Sequence, residues 1–285
     1  ASTVGPIIPP SVLFILYGFL TNVSVGKLFV GGIIPGILMS VGLMICSYII
    51  CLKEGYGKAH EKFEVKRLVK AGKEGSLALI VPFVIIFSIT SGFATATESG
   101  VIAVVISLIL GLIFKTLTKK ETLWGAIIDS THSTAVIFLI LATSALFSNI
   151  LVRSQFQILV IDTLQSITDS PTLSLILIII FLLIIGMFVD VTPILIMFAT
   201  PMAAVGEQLG FDPVFFGVVI VIAAMIGSIT PPVGGLLLIS ASIGKVPIAD
   251  TFKILVPFVI TLVLVLILVI FVPQIVTFLP NLLVE

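Results

Sequence analysis

The sequence predicts an all-α, polytopic membrane protein, and three observations carry that reading. Of its 285 residues, 59% are hydrophobic and 10% charged, a balance that an ordinary soluble fold does not carry. Apolar stretches near the length of a membrane helix recur along the whole chain. Within that apolar sequence, Gly227-Ser228-Ile229-Thr230-Pro231-Pro232-Val233-Gly234-Gly235 stacks residues that break helices. Two consecutive prolines remove two amide donors and clash with the preceding turn, while the glycines permit conformations that other residues resist. Such a break is tolerated in hydrocarbon only where protein or water meets the freed carbonyls. A second copy of the signature, Ile8-Pro9-Pro10-Ser11, stands near the start of the chain.

In chain order, residues 9 to 20 form a short apolar helix and Thr21 to Lys27 a polar turn. A span is expected at 28 to 51, where Gly31, Gly32, Pro35 and Gly36 allow close helix contact. These elements make a first unit at 1 to 52. The density of Lys and Arg from Lys53 to Lys73 predicts a solvated basic linker at 53 to 75, partly helical at most. Spans at 76 to 92 and 99 to 114, joined by the turn Gly92 to Thr97, and a longer helix from Leu123 to Ile150 make a scaffold-type unit at 76 to 154. Residues 155 to 170 hold an amphipathic helix, in which Gln and Asp mix with apolar residues at helical spacing, as at a membrane interface.

Two interrupted segments follow, forming a unit at 171 to 251. One runs from 171 to 206 and breaks between Gly186 and Pro193; the other runs from 213 to 244 and breaks between Gly227 and Gly235. Each arm covers about 18–24 Å of helix against a hydrocarbon core of about 30 Å, so no arm spans alone. One segment is a re-entrant hairpin and the other a discontinuous spanning helix; the residues themselves leave open which is which. A final span at 252 to 279 is expected to end near Pro280, within a last unit at 252 to 285. This topology places all of the 14 Lys and Arg except Lys27 and Arg153 on the cytoplasmic side, as the positive-inside rule requires.

The two proline signatures belong to an internal repeat. One common shift lays Pro231 on Pro9, Pro232 on Pro10 and Pro257 on Pro35, and one residue more also aligns Val246 with Val23 and Phe252 with Phe29. An odd number of spans between copies inverts them, and inverted repeats with broken helices characterise secondary transporters whose site lies near the midplane. Completing the first copy requires roughly 145 residues before Ala1. The chain begins mid-motif, without a methionine or a visible signal peptide, so it is expected to be N-terminally incomplete.

Asp190 is the most informative charge, because a carboxylate between apolar arms is expensive unless paired or functional. It either holds a cation or caps the helix that follows, and Thr192-Pro193 behind it fits a helix start. Ser11, Ser228 and Thr230 offer hydroxyls beside unwound carbonyls, the hard oxygen chemistry that suits Na⁺ and a carboxylated solute; helix-end capping is the plainer role for each. Thr95-Ala96-Thr97-Glu98 has the spacing of a capping box. His60-Glu61-Lys62-Phe63-Glu64 resembles the start of a zinc-protease motif but carries Glu64 where the second histidine is needed. His132, three residues after Asp129, reads as an interfacial residue rather than a proton relay. Cys46 and Cys51 share one apolar segment, which suits packing rather than a disulfide or a metal. A formal net charge of zero points away from a nucleic-acid partner.

Taken together, these motifs resemble the large membrane subunit of the tripartite ATP-independent periplasmic (TRAP) transporters. The resemblance rests on Ile8-Pro9-Pro10-Ser11 followed by Gly31-Gly32-Ile33-Ile34-Pro35-Gly36, on Thr97-Glu98, on Gly186-Met187-Phe188 with Asp190, and on Leu209-Gly210-Phe211-Asp212-Pro213 leading to Gly227 and Thr230-Pro231-Pro232-Val233-Gly234. These stand in the family's order across nearly the whole chain. Ala96 departs from the pattern, standing where the family usually has proline, and Ser99-Gly100 replaces small alanines.

The resemblance implies an ion-transporter-superfamily-like fold of inverted repeats and an elevator-type carrier in the bacterial inner membrane. It implies a Na⁺ gradient driving import of carboxylated solutes such as C4-dicarboxylates or sialic acid, a periplasmic binding protein that delivers them, a small membrane subunit, and no organic cofactor. By the same resemblance 171 to 206 is the hairpin, and the site draws on Pro9, Pro10, Ser11, Gly186, Asp190, Thr192, Gly227, Ser228, Thr230, Pro231, Pro232 and Gly234. Asp190, Thr192, Ser228 and Thr230, with backbone carbonyls, are the Na⁺ candidates. The competing readings are a related Na⁺/dicarboxylate carrier that works without a binding protein, a channel, and an intramembrane hydrolase. The sequence offers the hydrolase no partnered carboxylates, Ser-His arrangement or metal-ligand cluster.

Overall fold

The computed structural model describes residues 3–55, 64–76, 79–114, 120–244 and 248–283. Among them the regular structure is helical: α1 (Val12–Thr21), α2 (Val25–Glu54), α3 (Val65–Ser76), α4 (Ile80–Thr90), α5 (Ala96–Ile113), α6 (Lys120–Arg153), α7 (Phe156–Ile167), α8 (Pro171–Gly186), α9 (Val191–Gln208), α10 (Pro213–Ile229), α11 (Gly235–Gly244), α12 (Ile248–Phe271) and α13 (Gln274–Leu283). Four of the described helices, within α2, α5, α6 and α12, are long and apolar enough to cross a membrane. The chain divides into two compact units, one of Ala1–Ser47 with Leu139–Glu285 and one of Tyr48–Phe138.

The first unit is built around α10. Every residue from Val214 to Ile229 is buried, as expected of a helix that is apolar all round and enclosed by its neighbours. Its start is set locally: Pro213 occupies the first turn, and the Asp212 carboxylate accepts the Phe215 amide at 2.8 Å. Helices α1, α8, α9, α12 and α13 pack against it. On α8 the buried residues Ser174, Leu175, Ile178, Ile179, Leu182 and Gly186 recur every three or four positions, which turns one stripe toward α10. α7 packs its buried Ile161 and Leu164 on the hairpin helices α8 and α9.

The expected final span differs in the structure. It is two helices, because α12 stops at Phe271 and α13 begins at Gln274, with Val272-Pro273 between them. Pro273 cannot donate an amide to the preceding turn and so ends α12. Pro280, expected to mark the end, lies inside α13.

In the second unit the basic stretch is helical over Val65–Ser76, and α4 and α5 form a packed antiparallel pair. α4 covers only Ile80–Thr90 of the span expected at 76 to 92, so its helix by itself is shorter than the hydrocarbon depth. The two helices share a buried hydrogen bond of 2.8 Å between the Ser88 and Ser99 hydroxyls. The turn between them takes the left-handed conformation at Gly92 (φ 71°). It ends in the expected capping box: the Thr95 hydroxyl accepts the Glu98 amide at 3.3 Å, and the Glu98 carboxylate accepts the Thr95 amide at 2.8 Å. Thr95→Ala is expected to destabilise the α4–α5 pair by about 1 kcal/mol, read as faster amide exchange over residues 96–99.

Candidate functional site

Three non-helical stretches meet in the first unit. After α8 ends at Gly186, Met187 to Asp190 form the tip of the α8–α9 hairpin. Between α10 and α11, Thr230 to Gly234 leave the helix, and Gly234 takes the left-handed conformation (φ 54°). The third stretch, Thr3 to Ser11, precedes α1. The Pro9–Pro10 and Pro231–Pro232 peptide bonds are both cis.

The hairpin tip and the α10–α11 break complete each other's hydrogen bonds. The amides of Val233 and Gly234 both donate to the Met187 carbonyl, at 3.1 and 3.2 Å. Backbone donors left over beyond the proline pair thus meet an acceptor at the C-terminal end of α8, which is how a break among apolar helices avoids orphaned polar groups. The approach needs two glycines. A Cβ on Gly186 would lie 2.7 Å from the Gly227 Cα, and one on Gly227 would lie 2.8 Å from the Gly186 Cα, closer than any side chain permits. α8 and α10 therefore touch backbone to backbone where α8 ends and within the last turn of α10.

Asp190 occupies the cap position of α9, yet its side chain accepts no amide of that helix. Of the two roles left open for it in the sequence, the side-chain cap of α9 is therefore not formed. The carboxylate Oδ1 instead accepts the Ser228 hydroxyl at 3.1 Å, across 38 positions of sequence. It also lies against the start of α11, since a Cβ on Gly235 would stand 3.1 Å from Oδ1. The charge thus faces the positive end of the α11 dipole, a contact worth about 0.3–1 kcal/mol. Asp190 is exposed rather than enclosed between the apolar arms, and Ser228 is completely buried.

A cavity of about 400 Å³ opens beside this pair, lined by Pro6, Pro10 and Leu13 from around the first break, Asp190 and Thr192 from the hairpin, and Met225 and Leu236. Of the expected site residues, Pro10, Asp190 and Thr192 therefore come together on one wall. Ser228 stands behind Asp190, and Gly186, Gly227 and Gly234 hold the breaks in place without lining the cavity. Thr230 ends α10, and its hydroxyl donates to the Ile226 carbonyl at 2.7 Å. Ser11 caps α1 by accepting the Phe14 amide at 3.2 Å, while its hydroxyl donates to the Pro6 carbonyl. Pro9 is buried, Pro231 half-buried and Pro232 exposed.

Two participants are not signalled by the side-chain pattern of the sequence. Met187 acts through its carbonyl, which side-chain chemistry does not announce, and Pro6 is a cavity wall whose proximity to Pro9-Pro10 is its only signal. Glu98 serves the capping box. His132 and Asp129 are exposed on α6, Cys46 is buried and Cys51 exposed, and His60 lies outside the described residues.

Comparison with known proteins gives a consistent result. Residues 1–275 match the family described as tripartite ATP-independent periplasmic transporter, DctM component. The chain is 36% identical over 282 residues to the sialic acid TRAP transporter permease protein SiaT of Haemophilus influenzae, covering 99% of this chain and 46% of that protein. It is 35% identical over 283 residues to the sialic acid TRAP transporter large permease protein SiaM of Vibrio cholerae, covering 98% of this chain and 65% of the relative. The C4-dicarboxylate TRAP transporter large permease protein DctM of Pseudomonas aeruginosa is 29% identical over 281 residues, 99% of this chain and 66% of its own. The chain thus spans about half to two thirds of these relatives.

Proposed function

The chain belongs to the DctM-component family of tripartite ATP-independent periplasmic transporters, and from that premise we propose that it is part of the permease of a Na⁺-coupled importer of carboxylated solutes. The solutes are of the sialic acid or C4-dicarboxylate type, delivered by a periplasmic binding protein, and a small membrane subunit completes the permease in the bacterial inner membrane. The names of the relatives support the solute class, since two are sialic acid permeases and one a C4-dicarboxylate permease.

The observation that carries the reading is the coupling of two helix breaks at one charge: Met187 to Val233 and Gly234, and Asp190 to Ser228. Broken helices present backbone dipoles and carbonyls to an ion and its solute without a dedicated cage of side chains. The donors beside the cavity suit Na⁺, because the Asp190 carboxylate, the Thr192 hydroxyl and nearby backbone carbonyls are all hard oxygen. Ser228 and Thr230 keep lone pairs after donating their protons and belong to the same set. The hydroxyl of Ser11 both donates and accepts within its own turn, so its part is to hold the first break.

In this reading the two proline breaks are inverted copies, α8–α9 is the re-entrant hairpin, and 171 to 251 moves with 1 to 52 as the carrier of an elevator, against a scaffold at 76 to 154. The basic linker at 53 to 75, the interfacial helix at 155 to 170 and the end at 252 to 285 connect and flank those parts. Uptake of radiolabelled sialic acid and succinate by the complete complex in vesicles tests the coupling. Replacing external Na⁺ with K⁺ is expected to reduce uptake to background, and omitting the binding protein to do the same. Undiminished uptake in K⁺ would overturn the Na⁺ coupling, and undiminished uptake without the binding protein would overturn delivery by it.

A further inference from the structure

We infer that the cavity at the end of α10 remote from Asp190 is a second binding site, for a zwitterionic group that couples an ammonium to an oxyanion, as an aminophospholipid headgroup does. It has a volume of about 600 Å³, within the range of roughly 300–1,000 Å³ typical of small-molecule sites. Its position is that of a headgroup. It lies among the polar turns at the end of α1, the start of α2, the end of α9 and the start of α10, and in a membrane protein such helix ends stand at the interface.

Two observations point to a ligand. Tyr17 lines the cavity and is 1% exposed, with its ring pressed so closely on α10 that a Cβ on Gly217 would lie 2.4 Å from its Cε1. Its ring is sealed against α10, but its hydroxyl is not among the buried polar atoms left without a partner; it opens on the cavity, where it can meet a ligand. The second observation is charge. Lys27, Glu207 and Asp212 all line the cavity, yet the Lys27 ammonium makes no ion pair with either carboxylate among the described residues. Asp212 is partly engaged by the Phe215 amide, whereas Glu207 is exposed and free to meet a ligand's ammonium. Opposite charges that share a cavity without pairing fit a molecule that carries both. Lys27 and Tyr17 would take the oxyanion, Glu207 the ammonium, and the wall of Leu20 and Phe216 the apolar stem.

A phospholipid and a soluble zwitterion share this chemistry, and one experiment separates them. The complete complex is reconstituted in discs of phosphatidylethanolamine or of phosphatidylcholine, extracted, and its retained lipid counted by native mass spectrometry. Wild type is expected to retain phosphatidylethanolamine and not phosphatidylcholine, whose quaternary ammonium has no N–H to donate. Lys27→Gln and Glu207→Gln are each expected to lower retention about tenfold, the effect of losing one charge-assisted hydrogen bond. Lys27→Arg should restore it, and Tyr17→Phe should lower it about threefold. These two variants carry the test if a Gln variant fails to assemble. Displacement of the lipid by millimolar glycerophosphoethanolamine would assign the same site to a soluble zwitterion. Equal retention by wild type and Lys27→Gln, or equal retention of the two lipids, would overturn the inference. Because the readout is bound lipid, neither result bears on Na⁺ coupling.

Discussion

Gly227→Val is expected to unfold the first unit at temperatures where the wild type is intact. A Cβ at this position would stand 2.8 Å from the Gly186 Cα, 3.0 Å from the Leu183 carbonyl oxygen and 3.1 Å from that of Leu182. All three are backbone atoms of a packed helix and have no rotamer by which to retreat, so α8 and α10 must separate. Separation withdraws the Met187 carbonyl from the Val233 and Gly234 amides, and those groups then lie unpaired beside apolar sequence. Overpacking together with the lost bonds is expected to cost about 3 kcal/mol or more, a fall of about 6–12 °C in melting midpoint by the usual scaling. Gly186→Ala, which adds one carbon rather than three, meets the same backbone at 2.7 Å and should show a smaller fall. A melting curve for Gly227→Val that superposes on wild type would mean the α8–α10 contact is not a constraint on the fold.

The breaks at the two proline pairs were legible in the sequence because consecutive prolines cannot be absorbed by a helix whatever surrounds them, and the structure leaves helix at both pairs, whereas α2 runs through Gly31, Gly32, Pro35 and Gly36 without a break. The Thr95–Glu98 box was legible for a similar reason: both partners lie within one turn. What depended on distant neighbours was not. Pro35, Pro201, Pro257 and Pro280 sit inside helices while Pro273 ends one, and all five look alike in an apolar run. Tertiary packing decides which proline a helix can absorb, so the final span read as one helix. Asp190 has the same character. Its immediate neighbours describe a helix cap, but its partner is Ser228 on another helix, and no local pattern encodes a choice between two acceptable partners. Backbone participants are the hardest to foresee, because the Met187 carbonyl would serve equally well under almost any side chain.

Asp190→Asn separates the charge at the hairpin tip from the hydrogen bond it makes. The amide oxygen of asparagine can accept the Ser228 hydroxyl as the carboxylate does, at nearly the same volume, so the junction between the hairpin and α11 should survive. Only the charge is lost. If the proposed cation rests on that charge, its loss should weaken Na⁺ binding by about 1.5–3 kcal/mol, or about 10- to 150-fold in the Na⁺ concentration that half-saturates uptake. Ser228→Ala provides the reciprocal change, keeping the carboxylate and removing its neutral donor. It should shift the same curve about two- to fivefold, as expected for a bond worth about 0.5–1 kcal/mol. Uptake of labelled solute by the complete complex, titrated with Na⁺ at constant ionic strength, reads both variants in one assay. The order of the effects is decisive: a purely architectural Asp190 would make Ser228→Ala the more damaging change, because it removes the bond that Asp190→Asn retains. A wild-type Na⁺ curve in Asp190→Asn would remove the carboxylate from the ion site and leave the cation to backbone carbonyls at the breaks.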